Sequence, residues 1–448
     1  MAGCPLVRLF AAAIRPCCSC AVLVGIVLMA KPSDLHAQDS TRSQFFTRPE
    51  SPPVEEPPPS SLREASSGPA TNLHDNPQAQ PAAAQTVSAG PFAFKVGLMG
   101  AIEYNSNVRV EQVAREGIMA SLGVNLEGAL RISSRQELNF VAVINQRTPL
   151  SGPGKSERLL SVAPNSVLRF QVWVRSLRLT PFLKYSRQLD PVLSPVVNNT
   201  RILDQAAFTK GIQADLPLSS GGIQLIGVHD RRSQRGDVAL SQTAWTKSAG
   251  LRGIYNASAA HTLSADFVLA RTRYIGGPSD RVKSRSVSVS DEWKMADQKS
   301  LTAVYGYGEQ SFQNPRTEGD TLRNGSAFMS LNFRHALREN LKLNWRFGRS
   351  TQEGVATNFY KLSEVGLTPE YKFAERLNAS FTFGHQWVAE SGPLGEDATR
   401  LAMNLTISYA LAAKSDVRLM IDRAQKESSV VSRGYQQLRV TLMGNHQF

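Results

Sequence analysis

From Pro91 to Phe448, apolar and polar residues alternate with a period of two in one segment after another. Phe92, Phe94, Val96, Leu98 and Ile102 alternate with Lys95, Gly97 and Glu103. Ile118, Ala120, Leu122, Val124, Leu126 and Leu130 alternate with Ser121, Asn125 and Glu127. Later segments repeat the pattern: Leu263, Ala265, Phe267 and Leu269; Ala327, Met329, Leu331 and Phe333; Leu341, Leu343, Trp345 and Phe347; and Leu401, Met403, Leu405, Ile407, Tyr409 and Leu411. An extended strand puts successive side chains on opposite faces, whereas an amphipathic helix repeats its apolar residues at i, i+3 and i+4. Period two fits each of these runs and helical spacing fits none, so the body of the chain is predicted to be all-β.

The gaps between strands carry a second signal, because short and long ones take turns. Short gaps include Arg131–Gln136, Leu218–Gly221, Ala257–Ala260, Ala336–Asn340, Ala374–Arg376 and Ala412–Ser415. Long ones, rich in Gly, Pro, Asn and charge, include Arg147–Ser156, Gln188–Asn199, Gln310–Asn324, Ala389–Ala398 and Arg423–Gly434. A soluble sandwich or propeller predicts no such alternation. A membrane barrel does, with tight periplasmic turns, longer external loops and an even strand number. The expected fold is a transmembrane antiparallel up-and-down β-barrel over 91–448, of about eighteen strands, with sixteen as the alternative. Pro164, Pro181 and Pro369 blur the count, since each removes a ladder donor from a run that otherwise reads as strand. Trp173, Trp293, Trp345, Trp387, Tyr307, Tyr371, Phe373 and Tyr409 fall near strand ends, where a barrel places its aromatic girdles.

The last stretch, Tyr435–Phe448, carries Leu438, Val440, Leu442, Gly444, His446 and Phe448 on one face and Arg439, Thr441, Met443 and Asn445 on the other. An aromatic terminal residue on a buried strand is awkward in a soluble domain, because the carboxylate beside it requires water. At a membrane interface both are accommodated. This end resembles the closing strand of bacterial outer-membrane proteins, which implies Leu438, Val440, Leu442 and Phe448 as the barrel-closing strand and the barrel-assembly machinery as its partner. Gly100–Val108, with Tyr104-Asn105-Ser106-Asn107, resembles the first hairpin of the uncharacterised β-barrel porin families. That resemblance implies a porin-like fold. Turn geometry at Asn105 and Asn107, positive φ included, explains the two asparagines without function.

The amino terminus changes the picture of where the protein works. Arg8 and Arg15 precede the apolar run Cys17–Ala30, and Leu35-His36-Ala37 precedes a cleavage point at Gln38, the layout of a secretory signal peptide over 1–37. All four cysteines lie within it, so the mature chain has neither a disulfide framework nor a thiolate metal site. No later apolar run is long enough for a spanning helix. Residues 38–90, with Pro52-Pro53 and Pro57-Pro58-Pro59, read as a Pro-rich disordered periplasmic linker. The formal charge of +13 invites a nucleic-acid partner, but export to the cell outer membrane of a Gram-negative bacterium argues against one.

Instead, the charge bears on the lumen. Lys95, Arg169, Arg178, Lys184, Arg252, Lys294, Arg334, Lys342, Arg346, Arg400, Arg418 and Arg439 occupy the polar faces, opposed by Glu103, Glu127, Asp266 and Asp422. These cations are the pore-lining candidates, and a wall of them would concentrate anions by focusing the field. The expected function is a porin-like channel for passive passage of small hydrophilic solutes, with anions favoured. The competing account pairs those cations with loop carboxylates or with lipopolysaccharide phosphates. A second function class is a non-conducting barrel serving polysaccharide export or docking a periplasmic partner. Outer-membrane lipid and lipopolysaccharide are expected around the barrel, with a homo-oligomer left open. No enzyme, cofactor or metal is indicated: the sequence has no G-x-S-x-G, H-E-x-x-H or phosphate loop, and His229-Asp230 is the nearest approach to a catalytic pair.

Overall fold

The computed structural model describes residues 87–89, 91–108, 114–152, 159–188, 204–235, 242–275, 281–296, 299–315, 318–354, 357–393, 395–430 and 433–448. The expected signal peptide and most of the expected linker lie outside these. The strands are β1 (Val87–Ala89), β2 (Phe92–Asn105), β3 (Gly117–Ser133), β4 (Gln136–Ser151), β5 (Leu159–Val162), β6 (Val167–Val174) and β7 (Leu177–Gln188). They continue with β8 (Asp204–Leu218), β9 (Gly221–Arg235), β10 (Gln242–Asn256), β11 (His261–Ile275), β12 (Arg281–Ala296), β13 (Lys299–Phe312) and β14 (Arg323–Arg338). The last six are β15 (Leu341–Glu353), β16 (Phe359–Ala374), β17 (Leu377–Glu390), β18 (Asp397–Ala412), β19 (Ser415–Ser428) and β20 (Tyr435–Gln447).

Every ladder is antiparallel and joins chain neighbours, and β20 returns to β2 through Gly97↔Gln447 to Asn105↔Arg439. The sheet is therefore a closed ring with no free edge, which lets a backbone without water satisfy its polar groups. β5 and β6 form one interrupted stave on β4, so β2–β20 supply eighteen staves, the expected number. β1 is a three-residue ladder on β2, inside the span expected to be linker.

The three prolines resolve differently. Pro164 falls in the break between β5 and β6, where the Ser166 hydroxyl accepts from the Val143 N–H at 3.1 Å in place of a ladder carbonyl. Pro181 and Pro369 stay within strands. Regular pairing lapses beside each, between Arg169↔Phe182 and Val172↔Leu179 in one case and between Leu367↔Phe383 and Glu370↔Ser380 in the other.

Exposure alternates clearly along strands such as β11 and β18 and identifies the faces. Ile102, Leu122, Ile212, Leu225, Leu251, Phe267, Val287, Phe381 and Leu442 are exposed large hydrophobics. Several stand directly opposite one another, as in Leu225↔Leu251↔Phe267↔Val287↔Tyr307. This is an unbroken outward apolar row, with the buried polar residues on the inward face. Aromatic pairs lie on the outer face near the turn end: His261–Trp293, Tyr371–Phe373 and His446–Phe448. Trp173 is an exception to the expected girdle. Its register places it on the inner face opposite Arg178.

Most staves run 12 to 17 residues, whereas a tilted strand needs only about 9–11 to cross hydrocarbon. The surplus stands at the long-loop end. There the inner face packs Tyr360, Leu362, Val388 and Ala398 against one another, and the connections tie together: the Asn358 amide donates to Asp320 at 2.6 Å. Both ends of the barrel lie at the short-turn end, where the Gln447 N–H donates to the Lys414 carbonyl.

Candidate functional site

The inner wall is the candidate site, and cross-strand register builds it. Arg178, Asp215, Gln224, Arg252, Asp266 and Ser288 follow one another directly across β7 to β12. Asp215 accepts from Arg178 Nε at 3.1 Å, Gln224 Nε2 at 2.5 Å and Gln213 Nε2 at 2.9 Å. Arg252 Nε donates to Asp266 Oδ1 at 2.5 Å. A second ladder crosses β15 to β18: Arg400 donates to Gln386 at 3.2 Å, Gln386 to Glu364 at 3.2 Å, and Arg346 sits 3.6 Å from the same carboxylate. Toward the loops, the fully buried Lys426 pairs with Glu396 at 2.7 Å. Arg433 bridges Glu390 and Glu396 at 3.2 and 3.1 Å.

The lumen is therefore less lopsided than the sequence suggests. Asp215, Asp230, Glu364, Glu390, Glu396 and Asp416 join the four acidic residues read from the strands. They were missed because which carboxylate meets which cation depends on register between strands. Their own parity was a usable signal, since Thr209, Gln213 and Asp215 alternate with Phe208, Ile212 and Leu216.

Of the pore-lining candidates, Arg178, Arg252, Arg346, Arg400 and Arg418 lie in these networks, Arg418 donating to Asp416 at 2.6 Å. Lys95 stands opposite Glu127 and Arg439 opposite Asp422. Arg169 lies opposite Asn139, and Lys184 sits 5.8 Å from the Phe182 ring centroid. Arg334 and Lys342 are exposed on the inner face near the turns. Arg334 belongs to the row Lys294↔Ser300↔Arg334↔Asn344. Lys342 lies opposite Glu370.

Two pairs of residues singled out in the sequence take definite places. His229 and Asp230 point to opposite sides of the wall, because neighbours on a strand must. Asp230 faces inward, held by Thr209 at 2.5 Å and Arg232 at 2.6 Å, so the two form no catalytic pair. Asn105 does supply turn geometry, its Oδ1 accepting from the Asn107 N–H at 2.9 Å, but neither asparagine takes positive φ, which among described non-glycine residues occurs at Arg175. Instead they are buried at the β2–β20 seam. Gln437 donates to Asn105 Oδ1 at 3.1 Å and to the Asn107 carbonyl at 2.9 Å, and Asn107 Nδ2 donates to the Gln436 carbonyl at 3.0 Å. No group of three or more His, Cys, Asp or Glu suited to a metal ion occurs among the described residues.

No protein-family model matches the sequence, and no curated protein matches it. Solved structures with a similar barrel include the outer membrane protein OpdK from Pseudomonas aeruginosa, at 12% identity and a TM-score of 0.48, covering 79% of this chain and 99% of that one. Acinetobacter baumannii OccAB4 is similar at 12% identity and a TM-score of 0.47, covering 80% and 99%. The siderophore receptor PirA from Pseudomonas aeruginosa is similar at 10% and 0.43, covering 79% and 80%.

Proposed function

We propose that the protein is an outer-membrane channel for passive passage of small hydrophilic solutes, with its short turns in the periplasm and its long loops outside. The observation that carries this reading is an eighteen-stave ring, polar within and apolar without, in which each described strand meets only its ladder neighbours. For strands about 4.8 Å apart and tilted about 40°, a circular ring of eighteen has a backbone diameter of about 36 Å. That is wide enough for water after side chains take their share. The placement of both barrel ends beside the short turns supports a periplasmic position for the preceding segment.

The charge on the wall refines the expected preference for anions. Arg178, Arg252, Arg346, Arg418 and Lys426 pair with carboxylates, whereas Lys294 and Arg334 stand exposed near the turns with Ser300 between them. A modest anion preference set at that mouth follows from field focusing. Ion conductance of the purified protein in a planar bilayer, with reversal potentials across a tenfold KCl gradient, tests both parts. We expect measurable conductance with an anion-directed potential. Absence of conductance overturns the channel, and a cation-directed potential overturns the preference.

A further inference from the structure

The outer wall carries its own cations. Lys210, Lys247, Arg271 and Lys283 lie on one row across β8 to β12, with His229 between the first two, and the row continues through Ser311 to Arg323. One rung nearer the loops, Arg273 stands opposite Arg281. All of these share the outward face with Leu251, Phe267 and Val287. Like charges directly opposite one another across an antiparallel pair repel. Among the described residues, no carboxylate partners Lys210, Lys247, Arg271, Arg273 or Lys283; the neighbouring Arg285 pairs with Glu309 at 2.6 Å. A folded wall that gathers cations against one another in this way calls for an anion from outside the chain.

The position of the row indicates which anion. Lys210 and His229 each lie eight residues along the strand from Leu218 and Gly221, which flank the β8–β9 turn. That is about 20 Å above the turns after allowing for rise and tilt, close to the upper edge of a barrel's apolar band, and the row climbs from there along the tilted sheet, with Lys247 nine residues from Asn256, Arg271 ten from His261 and Lys283 thirteen from Ala296. Arg231 lies over the Trp245 ring at 5.0 Å, and His229 packs against the same ring, the pairing of aromatic and cation expected at a headgroup level. Directly beneath Lys210 and His229, the wall opens into an outward groove of about 600 Å³, lined by Leu168, Leu183, Ile212 and Gly227. It lies where Pro181 interrupts the ladder and where a Cβ on Gly227 would meet nothing within 4 Å. A cationic rim above an apolar slot on a membrane-facing wall is complementary to an amphiphile with a phosphorylated head and acyl chains.

We propose that this face of β7–β12 is a binding site for a phosphate-bearing lipid of the outer leaflet, its phosphates on the Lys247–Arg271–Lys283 row and one acyl chain in the groove. The cationic row shares no residue with the lumen's charge networks, although Phe182, Gly211 and Val228 of the inner face also border the groove, and the site rests on the outward orientation of the long loops given above. Native mass spectrometry of the barrel in zwitterionic detergent tests it, with a diphosphorylated glucosamine lipid, the same lipid stripped of phosphate, and inorganic phosphate as probes. We expect retention of the phosphorylated lipid, with at least tenfold weaker binding of the stripped one and no comparable retention of inorganic phosphate. The triple variant Lys247→Ala, Arg271→Ala, Lys283→Ala should lose at least tenfold affinity while conductance is unchanged. Gly227→Leu, which fills the groove, should weaken the lipid alone. Equal binding of stripped and phosphorylated lipid by the wild type overturns the proposal without recourse to any variant. So does full binding by the triple variant, or inorganic phosphate retained as tightly as the lipid. Conductance in the same preparation separates failure of this site from failure of the channel.

Discussion

The two faces of the same wall treat arginine and lysine in opposite ways. Inside, Arg178, Arg252 and Arg346 each meet a carboxylate on a neighbouring strand, and Lys426 meets Glu396 in the connection before β18. Outside, Lys247, Arg271 and Lys283 meet one another. A protein that pairs its inner cations closely has the means to pair its outer ones, so the outer arrangement leaves a counter-charge to the surroundings. The inner ladders make a stiff polar lining, and the outer row makes an electrostatic appeal to whatever lies beside the barrel. Charge counted over the whole sequence merges the two and attributes all of it to the lumen.

The most severe way to break this comparison is at Asp215. It accepts from Arg178, Gln213 and Gln224 and is almost fully buried. Asp215→Ala strands the Arg178 guanidinium without its counter-ion, and the expected loss is about 3–5 kcal/mol of stability, read by urea unfolding of the barrel in lipid. Pairing it with Arg178→Met should restore most of that loss, because removing both charges removes the stranded one. An unchanged midpoint for Asp215→Ala would show that water reaches the inner pairs freely.

The outer row should respond in the reverse sense. The triple alanine variant of Lys247, Arg271 and Lys283 should be as stable as the wild type in neutral detergent, or more stable by about 0.2–1 kcal/mol per relieved pair. A clear destabilisation in neutral detergent would mean that the row is a structural element of the barrel in its own right.

A smaller effect is expected at the short-turn mouth. Lys294→Gln with Arg334→Gln should move the reversal potential toward cations by several millivolts while leaving conductance within about twofold. The smallest belongs to the exposed pair on the outer wall. Glu309→Gln removes the partner of Arg285, whose side chain is 66% exposed, and should change the unfolding midpoint by less than about 1 kcal/mol.

Much of the fold was legible in the residues. Alternation gave the strands, and the contrast between Leu218–Gly221 and Gln310–Asn324 gave the two ends of the barrel. What alternation could not give was register, so Asp215 opposite Arg178, or Glu364 beside Arg346, appeared only once strands were set side by side. The outer row was hidden for another reason. Polar residues on a strand read naturally as lumen-facing, yet Arg271 and Arg273 continue the odd-numbered series Leu263, Ala265, Phe267 and Leu269, and Lys283 and Arg285 lead into Val287 and Val289. Parity was present in the sequence and pointed outward. The seam asparagines show the same limit, since Asn105 and Gln437 are 332 positions apart and no local pattern relates them.

That seam has a consequence for how the molecule is made. Its two halves, β2 and β20, are far apart along the chain, so the hoop stays open until β20 is brought home to β2. Until then two raw margins are on offer. The asparagine–glutamine knot is therefore a clasp fastened last, and trimming it should leave a curled sheet rather than a smaller ring.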